Sequence, residues 1–167
     1  MKKLTRSAAL MAGLLIGTTA SAVEIGEAAP QFSLPRLTDN AAVTPLTQFS
    51  NKVIYLDFWA SWCAPCRTSF PLLNALYQKY QQQGFEVVAV NLDEDLDDAK
   101  KFLVEYPVAF TVLRDEPGEW AETYDVESMP TSFIIDKHGT IQRVHNGFAK
   151  ADIDEIENKI VSLINQP

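Results

Sequence analysis

The chain has 167 residues, 22 acids against 14 lysines and arginines, a net charge of −8 and only two cysteines. That length suits one domain with one proper core. The acidic balance argues against nucleic acid or an anionic membrane surface as a partner.

In chain order, residues 1–22 read as a signal peptide and not as part of the fold. Lys2, Lys3 and Arg6 make a basic start, residues 8–17 an apolar run, and Ala20-Ser21-Ala22 an A-x-A cleavage signal. The apolar run is about half of the ~20 residues that span a bilayer, so no stable membrane insertion is expected. Residues 23–167 are then one domain. The removed segment carries three bases and no acid, which takes the charge from −8 to −11. Export places both cysteines in an oxidising compartment, here expected to be the periplasm.

Residues 31–34 are expected to form a short strand ended by Pro35. Thr38, Asp39 and Asn40 make a turn. Residues 43–46 return as a second strand that Pro45 keeps at an edge. This is a hairpin added ahead of the core sheet.

Residues 53–71, VIYLDFWASWCAPCRTSFP, organise the rest. The near-continuous apolar run from Val53 to Trp59 suits a strand covered on both faces. Asp57 interrupts it, and a carboxylate there is costly without a partner or a task. Cys63 and Cys66 follow, two residues apart. Pro65 lacks an amide hydrogen and suits the first turn of a helix. Cys63 would then stand at the helix N-terminus, where free N–H groups and the dipole favour a thiolate. Such sites lower a thiol pKa from about 8.5 to between ~3.5 and ~7. Cys63 is therefore expected to be a nucleophile. Cys66, one turn on and more buried, is expected to be the resolving thiol. A purely structural disulfide is disfavoured, because so small a loop restrains an unfolded chain little.

The helix continues through residue 83 with Leu72, Leu73, Leu76, Tyr77 and Tyr80 on one face. Pro71 should kink it, and Gly84 should stop it. Residues 85–91 form a valine-rich strand, completing a parallel βαβ unit. The acidic run at 93–98, DEDLDD, leads into a helix ending near Tyr106. It reads as a solvated start whose acids complement the helix dipole. A calcium loop is disfavoured, since its glycine and twelfth-position Glu are absent. Residues 110–113 make a short strand. Residues 118–124 make a short helix with Trp120 and Tyr124 as core contacts.

Met129-Pro130-Thr131 precedes the strand at 132–136, and Pro130 is a candidate cis proline. Residues 137–140 turn into a return strand at 141–145. Gly147 suggests close backbone approach. Ile153, Ile156, Ile160, Leu163 and Ile164 give an amphipathic closing helix over 152–164. His138 and His145 are expected to be solvated. The order β(β)βαβαβαββα describes a mixed sheet flanked by helices in an α/β fold.

The stretch from Asp57 to Arg67 closely resembles the active-site segment of thioredoxins. Pro71, five residues past the second cysteine, matches the kink proline of that family. Met129-Pro130-Thr131 matches its cis-proline loop, and Gly147 its later groove glycine. Ala29-Pro30-Gln31-Phe32-Ser33-Leu34, the extra helix around 95–106, and residues 124–139 resemble the exported TlpA/ResA-like branch. The resemblance spans nearly all of residues 23–167. It implies a thioredoxin fold with an N-terminal β-hairpin extension and an inserted helix, and thiol–disulfide exchange at Cys63 and Cys66. By position, Asp57 would accept or relay the Cys66 proton. Trp62 would be a rim aromatic. Met129, Pro130 and Gly147 would shape the substrate groove. The resemblance also implies oxidised exported proteins as substrates and a DsbD-type membrane electron donor. Cytochrome c maturation is one such role, but many reductases for it lack an acid at position 57. Asp57 therefore points toward a more general dithiol reductase.

Beyond the redox-active disulfide no cofactor or metal is expected, and a monomer is expected. Ala64 and Pro65 add no imidazole or charge between the cysteines, which leans away from a strong oxidant. The alternative is a non-catalytic thioredoxin-like binding module or a Cu(I) or thiol carrier, since two thiols hold a soft ion. Arg67 excludes c-type haem, which needs His there, and the cysteine count excludes a four-cysteine zinc site.

Overall fold

A computed structural model describes residues 23–166. The expected signal peptide lies outside the described residues. Seven strands form one sheet: β1 (Ser33–Arg36), β2 (Asp39–Pro45), β3 (Val53–Trp59), β4 (Phe85–Asn91), β5 (Thr111–Arg114), β6 (Thr131–Ile135) and β7 (Ile141–Asn146). Their spatial order is β2-β1-β5-β4-β3-β6-β7. The helices are α1 (Ala64–Tyr80), α2 (Leu96–Glu105), α3 (Glu119–Thr123) and α4 (Ile153–Ile164).

β3 sits inside the sheet, parallel to β4 and antiparallel to β6, and all seven of its residues are buried. That is why its sequence is apolar without alternation. Period-two geometry still sorts its side chains. Val53, Tyr55 and Trp59 pack with α1, α2 and α4, in the layer that also holds Cys63 and Cys66. Ile54, Leu56 and Phe58 face the N-terminal segment, the 3-10 turn at Leu46–Phe49, and α3. Asp57 shares parity with Tyr55 and Trp59, so it lies beneath the layer holding the two cysteines.

The expected hairpin is present, shifted in register. Pro35 falls within β1 opposite Val43 and does not end the strand. The ladder slips between Pro35 and Arg36, so the missing proline N–H coincides with an irregularity. β2, with Pro45, is one of the two edge strands. Pro71 lies inside α1, and Gly84 ends the following 3-10 turn at φ +89°. The inserted α2 is anchored by Phe102, whose ring centroid lies 4.7 Å from that of Trp59 and 5.0 Å from that of Phe70. Tyr124 is buried, with its hydroxyl donating to Pro30 O at 2.6 Å. No helix among the described residues is long and apolar enough to cross a membrane.

Candidate active site around Cys63 and Cys66

β3 ends at Trp59, and α1 starts at Ala64 with Pro65 in its first turn. Between them the chain turns sharply, and the Cys63 N–H donates to Ala60 O at 3.1 Å. Cys63 is the N-cap residue, and its Sγ accepts the Cys66 N–H at 3.2 Å. The two cysteines form a disulfide with Cα atoms 5.3 Å apart. Both are buried, Cys66 completely and Cys63 at 3 % exposure. The chain is thus seen in its oxidised form. The sulfur of Cys63 already lies where a helix start donates N–H groups and presents the positive end of its dipole.

Trp62 stands beside the disulfide, 66 % exposed. It lines a groove with Ser61, Arg67, Asp98, Lys101 and Glu105, so α2 supplies one wall. On the other side, β6 pairs Thr131 with Phe58, which sets Pro130 level with the end of β3. The Met129–Pro130 bond is cis, as expected. Met129 packs against the layer that contains both cysteines. The Gly147 N–H donates to Pro130 O at 2.7 Å, joining those two residues. The backbone itself gives a reason for this glycine. Its φ is +78°, and a Cβ there would meet nothing within 4 Å. Backbone conformation, not crowding within the chain, demands glycine.

Asp57 is 1 % exposed, and its Oδ2 has no hydrogen-bond partner. Burial pushes its carboxyl well above the usual carboxylate range. It is paired in register with Ala89 of β4 and Ser132 of β6, and neither brings a charge.

Two expectations about polar residues are corrected. Asp93 is not part of a solvated helix start. It is 4 % exposed and accepts from Ser61 N at 2.9 Å, Ser61 Oγ at 2.9 Å and Asn91 Nδ2 at 2.7 Å. It thereby pins the turn just ahead of Trp62 and Cys63. Asp95, two residues on, is the actual N-cap of α2, accepting from Asp97 N. His145 is half-buried, and its Nε2 lies 3.1 Å from Asp152 Oδ2. The Asp93 clamp does have a sequence signal. β3 and β4 are parallel, so the residues just past Trp59 and Asn91 emerge at the same end of the sheet. A short polar side chain after one strand then meets the loop after the other.

The Redoxin family profile matches residues 24–160. The chain is 38 % identical over 139 residues to the thiol-disulfide oxidoreductase ResA of Bacillus thuringiensis, covering 83 % of this chain and 79 % of that one. It is 35 % identical to ResA of Geobacillus thermodenitrificans over the same shares. Among solved structures, a Chlorobium tepidum chain assigned as a thiol:disulfide interchange protein DsbE superposes with a TM-score of 0.82. That pair shares 45 % identity over 86 % of this chain and all of the other. A thioredoxin domain from Bacteroides vulgatus, 22 % identical with a TM-score of 0.75 over 86 % of this chain and all of that one, supports the fold. With a dithiol motif capping a helix at the end of a central strand, the chain belongs to the Redoxin family and is a thiol–disulfide oxidoreductase of the thioredoxin superfamily.

Proposed function

We infer that this protein is an exported dithiol reductase of disulfides in other periplasmic proteins. The observation that carries this reading is Cys63 as the N-cap of α1, its sulfur accepting the Cys66 N–H. In the reduced form the Cys63 thiolate attacks one sulfur of the partner's disulfide, and the other sulfur leaves as a thiolate. This forms a mixed disulfide at Cys63. Asp57, in its ionised form, accepts the proton of Cys66. The Cys66 thiolate then attacks Cys63 Sγ, and the partner sulfur bound there leaves as a thiolate. The partner is reduced by two electrons, and the Cys63–Cys66 disulfide present in the structure is the product.

Trp62, Met129, Pro130 and Gly147 form the surface against which the partner's backbone lies. Trp62 supports this by its exposure, and the other three by their connected placement beside the end of β3. A DsbD-type membrane protein returns the electrons, and cytochrome c precursors are one class of substrate. The basic start, apolar run and Ala20-Ser21-Ala22 pattern of residues 1–22 support the location, and the chain acts as a monomer without a cofactor or metal. The intervening Ala64 and Pro65 favour a potential on the reducing side of the range from about −120 to −270 mV.

Insulin reduction by the wild type and by Cys63→Ser tests the reading. Activity is expected in the first and not in the second, and equal rates would overturn it. A Cys66→Ser variant should accumulate its natural partner as a mixed disulfide at Cys63, which identifies the substrate from the exported fraction. A potential near −120 mV, measured against glutathione buffers, would contradict the reductase direction.

A further inference from the structure

Two buried hydroxyls stand beside Asp57 with no part in the exchange steps above. Asp57 is directly opposed by Ser132 on β6 and by Ala89 on β4. Directly opposed residues of an antiparallel pair point to the same face, with Cβ atoms about 4.5–5.5 Å apart. Ala89 offers no polar side-chain atom. Ser132 offers a hydroxyl, and the residue is buried. Tyr55 lies two residues before Asp57 on the same face and reaches diagonally to Ser132. Its hydroxyl oxygen is 2.7 Å from Ser132 Oγ. One oxygen of Asp57 meanwhile has no partner at all.

A buried hydroxyl pair thus begins directly opposite a carboxyl with an unpartnered oxygen. An unbonded oxygen is tolerable while the carboxyl is neutral. Once the proton leaves, that oxygen carries charge in a low dielectric, and the cost of having no donor rises steeply. Ser132 Oγ does not bond that oxygen in the oxidised form, so a rotamer change at Ser132 or Asp57, with the backbone in place, supplies the donor. Tyr55 can then donate to Ser132 Oγ, and linked hydroxyls polarise and strengthen one another.

We propose that Ser132, backed by the Tyr55 hydroxyl, donates a hydrogen bond to Asp57 when Asp57 is a carboxylate, and so positions it as the base for Cys66. This rests on the role proposed above for Asp57. The proton moves from Cys66 Sγ to the Asp57 carboxylate, and the hydroxyls only exchange hydrogen-bond partners. Ser132 and Tyr55 are positioning residues, since neither touches a reacting sulfur. Other groups facing this pocket are Cys66 in the layer above and, acting on Tyr55, Arg143 of β7 and Asp152 ahead of α4. Arg143 is paired with Glu155, and Asp152 is bonded to His145.

The test is the titration of the Asp57 carboxyl carbon, followed by ¹³C NMR in the reduced protein. Ser132→Ala should raise its midpoint by about one pH unit, a tenfold loss in ionisation constant. Tyr55→Phe should raise it by less, and Ser132→Thr, which keeps the hydroxyl, should restore it. An unmoved midpoint in Ser132→Ala, or a shift in Ser132→Thr as large as that in Ser132→Ala, would overturn the proposal. If Ser132→Ala does not fold, an unmoved midpoint in Tyr55→Phe does the same. The base role fails separately. An Asp57→Asn variant that resolves the mixed disulfide at the wild-type rate would remove that role, while the carboxyl titration of the wild type still reports the hydrogen bond.

Discussion

Replacing Asp57 with Asn should stabilise the oxidised protein, increasingly so as pH rises. Burial holds the native carboxyl well above the usual carboxylate range, with no charged group to offset it. In the unfolded chain the same group titrates near 3.8. Between those two values the native state keeps a proton that the unfolded state has lost. The unfolded state then binds one proton fewer, and the free energy of unfolding falls by about 1.4 kcal/mol per pH unit. The benefit of the neutral acid is complete below the unfolded pKa and is lost as pH rises through the native one. Asn cannot titrate, so its curve lacks this slope. Urea denaturation of the disulfide forms of both proteins, from pH 4 to 8, measures the difference. A gap that widens by up to about 1.4 kcal/mol per unit is expected. Stability curves that stay parallel across the range would refute the claim that burial dominates at Asp57.

Asp93→Ala removes the acceptor of three hydrogen bonds and leaves the Ser61 and Asn91 donors unmatched. A loss of about 2–4 kcal/mol by chemical denaturation is expected, because buried donors left without a partner lose more than the bond itself. Phe102→Ala empties the space beside Trp59 and Phe70, and should cost about 3–5 kcal/mol by the same measurement. Gly147→Ala meets no atom within 4 Å but must keep φ near +78°, so a loss of about 1–2 kcal/mol should appear in thermal melts.

Much of the architecture was legible because it follows from local pattern. The unbroken apolar run of β3, the isoleucine spacing of α4, and Pro65 just inside α1 each state their own structure. The two cysteines and Pro130 were legible as well, since spacing and proline chemistry act within a few residues. Contacts set by tertiary pairing were not. Asp93 lies in a run of acids, and only the parallel pairing of β3 and β4 reveals that it faces Ser61, 32 residues away. Ser132 and Tyr55 are 77 residues apart, and no local pattern joins them. His145 reads as solvated from its place on an edge-like strand, but Asp152 ahead of α4 meets it. Gly147 reads as a constrained position, and within the chain the constraint is its positive φ.

The central claim is that the start of α1 makes the sulfur of Cys63 electron-rich at neutral pH. Alkylation of the reduced protein with iodoacetamide across pH 4 to 10, mapped to each cysteine by mass spectrometry, tests it most directly. The account predicts that Cys63 reacts first, with a midpoint well below the ~8.5 of a free thiol, while Cys66 stays protected. Two cysteines reacting together, both with a midpoint near 8.5, would contradict it.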